Sequence, residues 1–360
     1  MDSDSIFYGE LSTLKRQRSI YNVNENRTLL DYSDAFTEEL NVQRNVGKSA
    51  KFLIYKCDHS SCGGLGDRLR GIVNSYVMAR ITERTFVIIH KVPCELSKFL
   101  KPNKYDWRID PKHFRNKSSK VYSVMDSFKL PSKNMTSYFK EDVVYFKTNT
   151  DITKHLRMQL DVPERTPWLT RLTTADIYRS VLLHLFTLND HLRRKMSVFN
   201  SKFIQGNRTV CAHFRVGKNP TTPNDVPRNV GSKDKLWKFL SRFDKPGNVI
   251  YVDSDSTDIK AEAKAKFPKR LINIEGKIVH TDRGKDDHEC HGFQLTVLEH
   301  ALLTNCDVLF LTISGYGRTA GFMRGHSRNM YCLQNTGILQ CSRHTLHEVL
   351  PGSYSPQAWK

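Results

Sequence analysis

The 360-residue chain has no run of about 20 consecutive apolar residues, so none of it reads as a bilayer-spanning helix. Its first residues, Met1-Asp2-Ser3-Asp4-Ser5, lack the basic start and apolar stretch of a secretory signal. Two locations stay open on that ground: the cytosol, or a secretory lumen reached through an anchor outside this chain. Acidic residues are in short supply, with 37 Asp and Glu against 56 Lys and Arg, giving a net charge of +19 and an isoelectric point near 9.6. Such a surface disfavours cationic partners and suits nucleotide phosphates, nucleic acid, acidic glycans or anionic lipid. Two nucleotide signatures are also missing. No Gly-Lys-Ser/Thr follows the glycine-rich stretch at 63–72, which excludes a Walker loop, and Leu69 stands where a dinucleotide fingerprint needs its third glycine.

What is present starts with that stretch, Gly-Gly-Leu-Gly-Asp-Arg-Leu-Arg-Gly-Ile. An apolar run at Phe52–Tyr55 precedes it, helical spacing follows over Ile72–Ile81, and Thr85–His90 reads as a second strand. A strand, a glycine loop and a helix opening on the loop place bare N–H groups where an anion can sit. The same residues also suit a plain tight turn packed on a sheet. Far downstream, a second basic motif, His213-Phe214-Arg215-Val216-Gly217-Lys218, ends another apolar run.

Hydrophobic residues make up 39% of the chain, enough to bury a core, and the length suits two domains. Eight cysteines form an even set. Cys57 with Cys62, and Cys332 with Cys341, flank tight loops and are the expected bridges, whereas Cys211 and Cys306 lie in apolar strand contexts and read as buried thiols. Four Asn-x-Ser/Thr sequons, at Asn26, Asn116, Asn134 and Asn207, add weight to a secretory lumen.

Residues 1–50 are polar and aperiodic, as in a stem or loosely attached arm. Residues 51–170 open with the strand–loop–helix–strand unit and then read as irregular and basic; their scattered aromatics suit a surface insertion or loops that recognise a sugar. A long helix is expected over 176–199, capped by Thr173-x-x-Asp176. From Thr209 the pattern alternates: strands at 209–214, 248–252, 270–274 and 308–312, helices at 233–243, 258–267 and 293–304. That alternation predicts an α/β fold with a parallel sheet over 171–335, with 336–360 as a tail.

Ligands of such sheets sit at the carboxyl ends of the strands. Three strands end there in polar motifs: His213 and Arg215; Asp253-Ser254-Asp255-Ser256; and Ser314-Gly315-Tyr316-Gly317-Arg318. Arginine offers a planar fork to a diphosphate, and a Ser-Gly-x-Gly turn at a helix start exposes N–H groups to phosphate oxygens. Together they suit a nucleoside diphosphate held without metal. Asp253-x-Asp255 equally matches a carboxylate pair for a hard divalent cation, which is the alternative reading, a metal-dependent glycosyltransferase. Asp286-Asp287-His288-Glu289-Cys290-His291 has ligand types at poor spacing and reads as a polar loop.

With these motifs in hand, the chain resembles the GDP-fucose-dependent fucosyltransferases that make α1,2-, α1,6- and protein O-linked fucose. Residues 63–81 and the strand after them look most like the plant xyloglucan enzymes and the bacterial nodulation-factor enzyme. His213-Phe214-Arg215 is similar to the superfamily's His-x-Arg motif, residues 251–267 to a Ser/Thr-Asp segment, and Thr312–Gly317 to the last phosphate-binding motif. The resemblance implies a GT-B-like fold, two Rossmann-like domains facing a central cleft: an acceptor-side domain at 51–170 and a nucleotide-sugar domain at 171–335. It implies inverting, metal-independent transfer of fucose from GDP-fucose to a glycan or glycoprotein in the Golgi lumen, with no cofactor and no nucleic-acid partner. Arg215 would grip the β-phosphate; His213, Ser254 and Asp255 would line the nucleotide; Gly64, Leu65, Gly66, Asp67 and Arg68, with Ser314, Gly315, Tyr316 and Gly317, would contact the diphosphate. The core α1,6 enzymes' glutamate base has no counterpart here, since 219–225 reads Asn-Pro-Thr-Thr-Pro-Asn-Asp. Asp225 and Asp67 are the candidate bases, beside a mechanism with no side-chain base. Glu299 stands where relatives carry an aspartate, with a structural role as the alternative. A non-catalytic polyanion-binding protein is the rival from another class.

Overall fold

The computed structural model describes residues 46–47, 49–58, 62–124, 137–157, 166–218, 223, 225–228, 232–276, 278 and 287–351. Most of the polar arm, the end of the tail, Asn26, Asn134 and Asp286 lie outside them.

In the first half, β1 (Phe52–Cys57) leads through α1 (Leu65–Ile81) to β2 (Thr85–His90). Helix α1 starts at Leu65 rather than Ile72, because Gly64 ends the strand-like backbone and the Asp67 carboxylate accepts from the Gly64 N–H at 3.2 Å. Leu65 and Leu69 then enter the core with the rest of the helix, which is buried on nearly every side. Beyond β3 (Leu100–Pro102) the stretch expected to be irregular holds two strands, β4 (Ser119–Val124) and β5 (Val143–Thr148). They complete a four-stranded parallel sheet in the order β2-β1-β5-β4. The aromatics there are core rather than recognition loops: Trp107, Phe139 and Phe146 are buried, and Phe139 meets Tyr122 edge-on at 4.8 Å.

The helix expected over 176–199 is two, α2 (Thr174–Leu185) and, after β6 (Phe186–Leu188), α3 (Asp190–Phe199). Residues 186–188 pair antiparallel with β3, and the Asn189 side chain caps α3 by accepting from the Leu192 N–H at 2.9 Å. The Thr173–Asp176 capping box at the start of α2 is present as expected.

The second half alternates as the pattern predicts. It runs β7 (Arg208–Phe214), α4 (Lys233–Ser241), β8 (Asn248–Ser254), α5 (Thr257–Lys266), β9 (Leu271–Ile272), α6 (Asp287–Asn305), β10 (Val308–Leu311), α7 (Gly315–Met323), β11 (Met330–Gln334) and β12 (Gly337–Gln340). The sheet order is β12-β11-β10-β7-β8-β9, parallel except for β12, so residues assigned to the tail add an antiparallel edge. Buried on both faces, β7, β8 and β10 carry the continuous apolar runs such a sheet requires. The order reverses between β7 and β10. In open α/β sheets ligands bind at such a switch point, outside the strands' carboxyl ends.

One apolar cluster runs through both sheets' helices, taking in Leu69, Tyr76, Tyr178, Phe293 and Phe322. Four disulfides reinforce it. Cys57–Cys62 and Cys332–Cys341 form as expected. Cys211 and Cys306 are not free thiols but bonded to each other, because the parallel β7–β10 pairing brings the start of β10 beside Cys211. Cys94–Cys290 joins the two halves across 196 residues. The polar loop expected at 286–291 is instead, from Asp287, the first turn of α6. Among the described residues, no helix is long and apolar enough to cross a membrane.

Candidate nucleotide-diphosphate site

Arg215 leaves the end of β7 with its N–H bonded to the Thr312 hydroxyl at 2.9 Å, so the residue after β10 fixes where the guanidinium starts. The side chain is about a quarter exposed. Its Nη2 meets the Asp225 carboxylate, and its Nη1 lies 3.4 Å from Asp255 Oδ2. Asp255 is itself fixed, accepting from the Val216 N–H at 2.8 Å and the Gly217 N–H at 2.9 Å. Gly217 turns the chain with φ +78°, and a β-carbon there would stand 1.9 Å from the Val226 carbonyl oxygen. The return strand of the loop, through Val226 and Arg228, lies against that glycine, and the Arg228 N–H bonds the Val216 carbonyl at 2.7 Å.

His213, on β7, is buried and donates Nδ1–H to Asp253 on the neighbouring strand at 2.6 Å. Burial alone would raise the Asp253 pKa, but the His213 charge and hydrogen bond outweigh it and hold the carboxyl below its usual range. The Asp253 carboxylate orients the ring by accepting at Nδ1, and Nε2 is left with no hydrogen-bond partner among the described residues. The imidazole packs against the turn that opens α7. Its centroid is 5.1 Å from the Tyr316 ring, and a β-carbon on Gly317 would stand 2.6 Å from its Cδ2. Ser314 caps α7, its hydroxyl accepting from the Gly317 N–H at 3.4 Å.

The glycine loop meets the same turn from the other half. A β-carbon on Gly66 would lie 2.4 Å from the Tyr316 nitrogen, and one on Gly315 2.7 Å from Arg70 Nη2. Two helix N-termini therefore abut, with the Asp67–Arg70 ion pair (3.2 Å) beside the junction. The loop, the 314–317 turn and His213 are in contact, and Arg215 is tied to them through the Thr312 hydroxyl, which accepts its N–H and donates to the His213 carbonyl at 3.2 Å.

Several expected contacts are used internally instead. Arg68 is buried, and its guanidinium points inward to the Gly63 carbonyl (2.7 Å), the His90 ring (2.9 Å) and the Val92 carbonyl, over the face of Phe293. Leu65 is core. The Gly64 N–H goes to Asp67, whose other oxygen pairs with Arg70. The Ser254 hydroxyl donates to the Phe214 carbonyl at 2.7 Å and ties β8 to β7. Asp253 and Asp255 do not converge as a metal pair, since one serves His213 and the other the 216–217 amides and Arg215. Among the described residues, no group of three or more His, Cys, Asp or Glu is placed to hold a metal ion.

Behind His213 lies a buried polar network that the motifs do not announce. Glu299 accepts from the Tyr251 hydroxyl (2.8 Å) and Lys260 (3.0 Å). Burial and the Asp253 charge push its carboxyl up to about 7 against the pull of Lys260 and Tyr251. His300 Nε2 meets the Thr319 hydroxyl at 3.1 Å, and burial pushes its pKa down to about 3. Tyr251, Lys260 and Thr312 lie within segments that carry the resemblance, but nothing in the sequence gives them a role, and His300 has no signal beyond its place on a buried helix face.

The chain matches no protein-family model and no curated protein sequence. Solved structures do resemble it. Arabidopsis thaliana FUT1, an arginine-to-lysine mutant in complex with GDP, is 12% identical with a TM-score of 0.59, over 94% of this chain and 86% of that one. NodZ α-1,6-fucosyltransferase soaked with GDP-fucose is 11% identical with a TM-score of 0.51, over 81% of this chain and 99% of that one. NodZ co-crystallised with GDP is 12% identical with a TM-score of 0.52, over 81% and 98%. The chain thus has the α/β fold shared by these fucosyltransferases.

Proposed function

We propose that the protein is an inverting, metal-independent fucosyltransferase that moves fucose from GDP-fucose to a hydroxyl of a glycan or glycoprotein. The observation that carries this reading is that Arg215 leaves the end of β7 beside the β7/β10 switch point, its N–H bonded to Thr312 two residues before the Ser314 cap of α7, in a fold shared with structures holding GDP or GDP-fucose. In the donor complex the two sheets would flank a cleft, with the nucleotide on the 171–335 side and the acceptor on the 51–170 side. Arg215 and the dipole of α7 would stabilise the negative charge that grows on GDP as the bond from C1 to the phosphate oxygen breaks. His213 Nε2 would hydrogen-bond the nucleotide. The acceptor oxygen would bond C1 from the opposite face, and the sugar passes through an oxocarbenium-like state.

Neither candidate base suits strong proton abstraction. Burial alone would raise the Asp225 pKa, but Arg215 and the Val226 N–H leave it below the usual carboxylate range. Asp67 is held by Gly64 and Arg70. The acceptor proton therefore leaves late, to water or to a phosphate oxygen of the departing GDP. Four disulfides suit an oxidising lumen such as the Golgi.

Calorimetric titration with GDP, UDP and ADP should show GDP selectivity. An acceptor array with labelled GDP-fucose should show transfer that Arg215→Ala reduces at least about a hundredfold and EDTA leaves intact. Loss of transfer in EDTA would restore Asp253 and Asp255 as metal holders. Salt-steep binding without nucleotide selectivity would make the protein a polyanion binder.

A further inference from the structure

We propose that Asp225 is a specificity-determining residue whose carboxylate stands in for the donor's β-phosphate on Arg215 and is displaced by it. This rests on the reading of Arg215 as the diphosphate clamp. Among the described residues, two carboxylates face the guanidinium, and they are held very differently. Asp255 is almost fully buried, and both its oxygens accept backbone N–H groups from Val216 and Gly217, so it remains with Arg215 in every state. Asp225 lies on the loop that returns past Gly217; among the described residues its other oxygen accepts from the N–H of the next residue, Val226, at 2.8 Å, and the Arg228 charge acts on it without a hydrogen bond between them. Of the two, Asp225 is the anion that can leave without unfolding a backbone turn.

The exchange keeps a partly buried guanidinium paired throughout, so entry of the donor never exposes an uncompensated charge. It also sets a threshold. A ligand must present a second phosphate to Arg215 to release Asp225, and a nucleoside monophosphate, which cannot reach the fork, gains nothing from the clamp. The depressed pKa of Asp225 fits a resident counter-anion better than a proton acceptor.

The test is a double-mutant cycle read by calorimetry with GDP, GMP and inorganic pyrophosphate. Asp225→Asn should bind GDP and pyrophosphate roughly tenfold more tightly than the wild type, with GMP unchanged, and the gain should vanish in an Arg215→Ala background. Thermal melting checks that each variant is folded, and Asp225→Ser serves if the asparagine variant is not. An unchanged or weaker GDP affinity overturns the proposal. So does a gain shared by GMP, or one that persists without Arg215, since either marks a general charge effect. A loss of kcat at unchanged GDP affinity makes Asp225 the base and equally overturns it. The nucleotide reading fails separately: if the wild type does not prefer GDP to UDP and ADP, the pyrophosphate arm still reads the Arg215–Asp225 exchange.

Discussion

Gly66→Ala should separate the two abutting helix ends and disable the site. The added methyl would stand 2.4 Å from the Tyr316 nitrogen and 2.5 Å from the Gly315 carbonyl carbon, both backbone atoms. That is roughly 1 Å short of ordinary van der Waals contact. No rotamer change relieves such a clash; one helix must move. Overpacking of this kind costs about 1–3 kcal/mol, against which alanine regains at most about 1 kcal/mol of helix propensity. The net expectation is a loss of about 1–2 kcal/mol in urea unfolding and, from an ångström-scale shift of the 314–317 turn, on the order of a hundredfold in transfer rate. Gly64→Ser is the matched control. No atom lies within 4 Å of a β-carbon there, and the backbone, φ −67°, ψ 178°, suits a serine N-cap, so stability should hold or rise by a few tenths of a kcal/mol. Wild-type stability and GDP affinity in Gly66→Ala would refute the argument that this glycine sets the spacing of the two halves.

Glu299→Gln should flatten the pH dependence of stability. A carboxyl raised to about 7 from 4.5 binds its proton more tightly in the folded state, so its stabilising contribution is full below pH 4.5 and is lost as pH rises through 7. The loss is up to about 3 kcal/mol, and urea midpoints of the two proteins between pH 5 and 8 would expose it. Equal slopes would refute it. Replacing Cys94 and Cys290 together by alanine should lower stability by as much as about 5 kcal/mol, the chain-entropy value for so long a loop; non-reducing peptide mapping confirms the bridge, and an unchanged melting temperature would count against it. Asp253→Asn should weaken GDP binding by about tenfold, because the amide no longer enforces the orientation of the His213 ring; unchanged calorimetric affinity would remove His213 from the site.

Strands β1, β2, β7, β8 and β10 were legible because burial on both faces demands unbroken apolar runs, and their carboxyl ends located His213, Arg215 and the 314–317 turn. Strand β4 was not, because Ser119–Val124 lies at a sheet edge and exposes most of its side chains, which erases the apolar run. The split of 176–199 was hidden because Phe186 and Leu188 suit a helix as well as the β3 pairing. The Cys211–Cys306 bond depends on strand order, which no local spacing encodes. Arg68 read as a phosphate ligand by its place in the glycine loop, yet a buried guanidinium takes whatever carbonyls the fold offers, and here they lie inward. The resemblance implies Asp225 as a candidate base, being the nearest carboxylate past the histidine motif, whereas its ion pair with Arg215 is visible only in three dimensions.

The apolar cluster that continues from one sheet's helices into the other's, riveted by the Cys94–Cys290 bond, has a thermodynamic consequence. Two sheets sharing one core in this way should unfold together, so calorimetry should record a single endotherm rather than two.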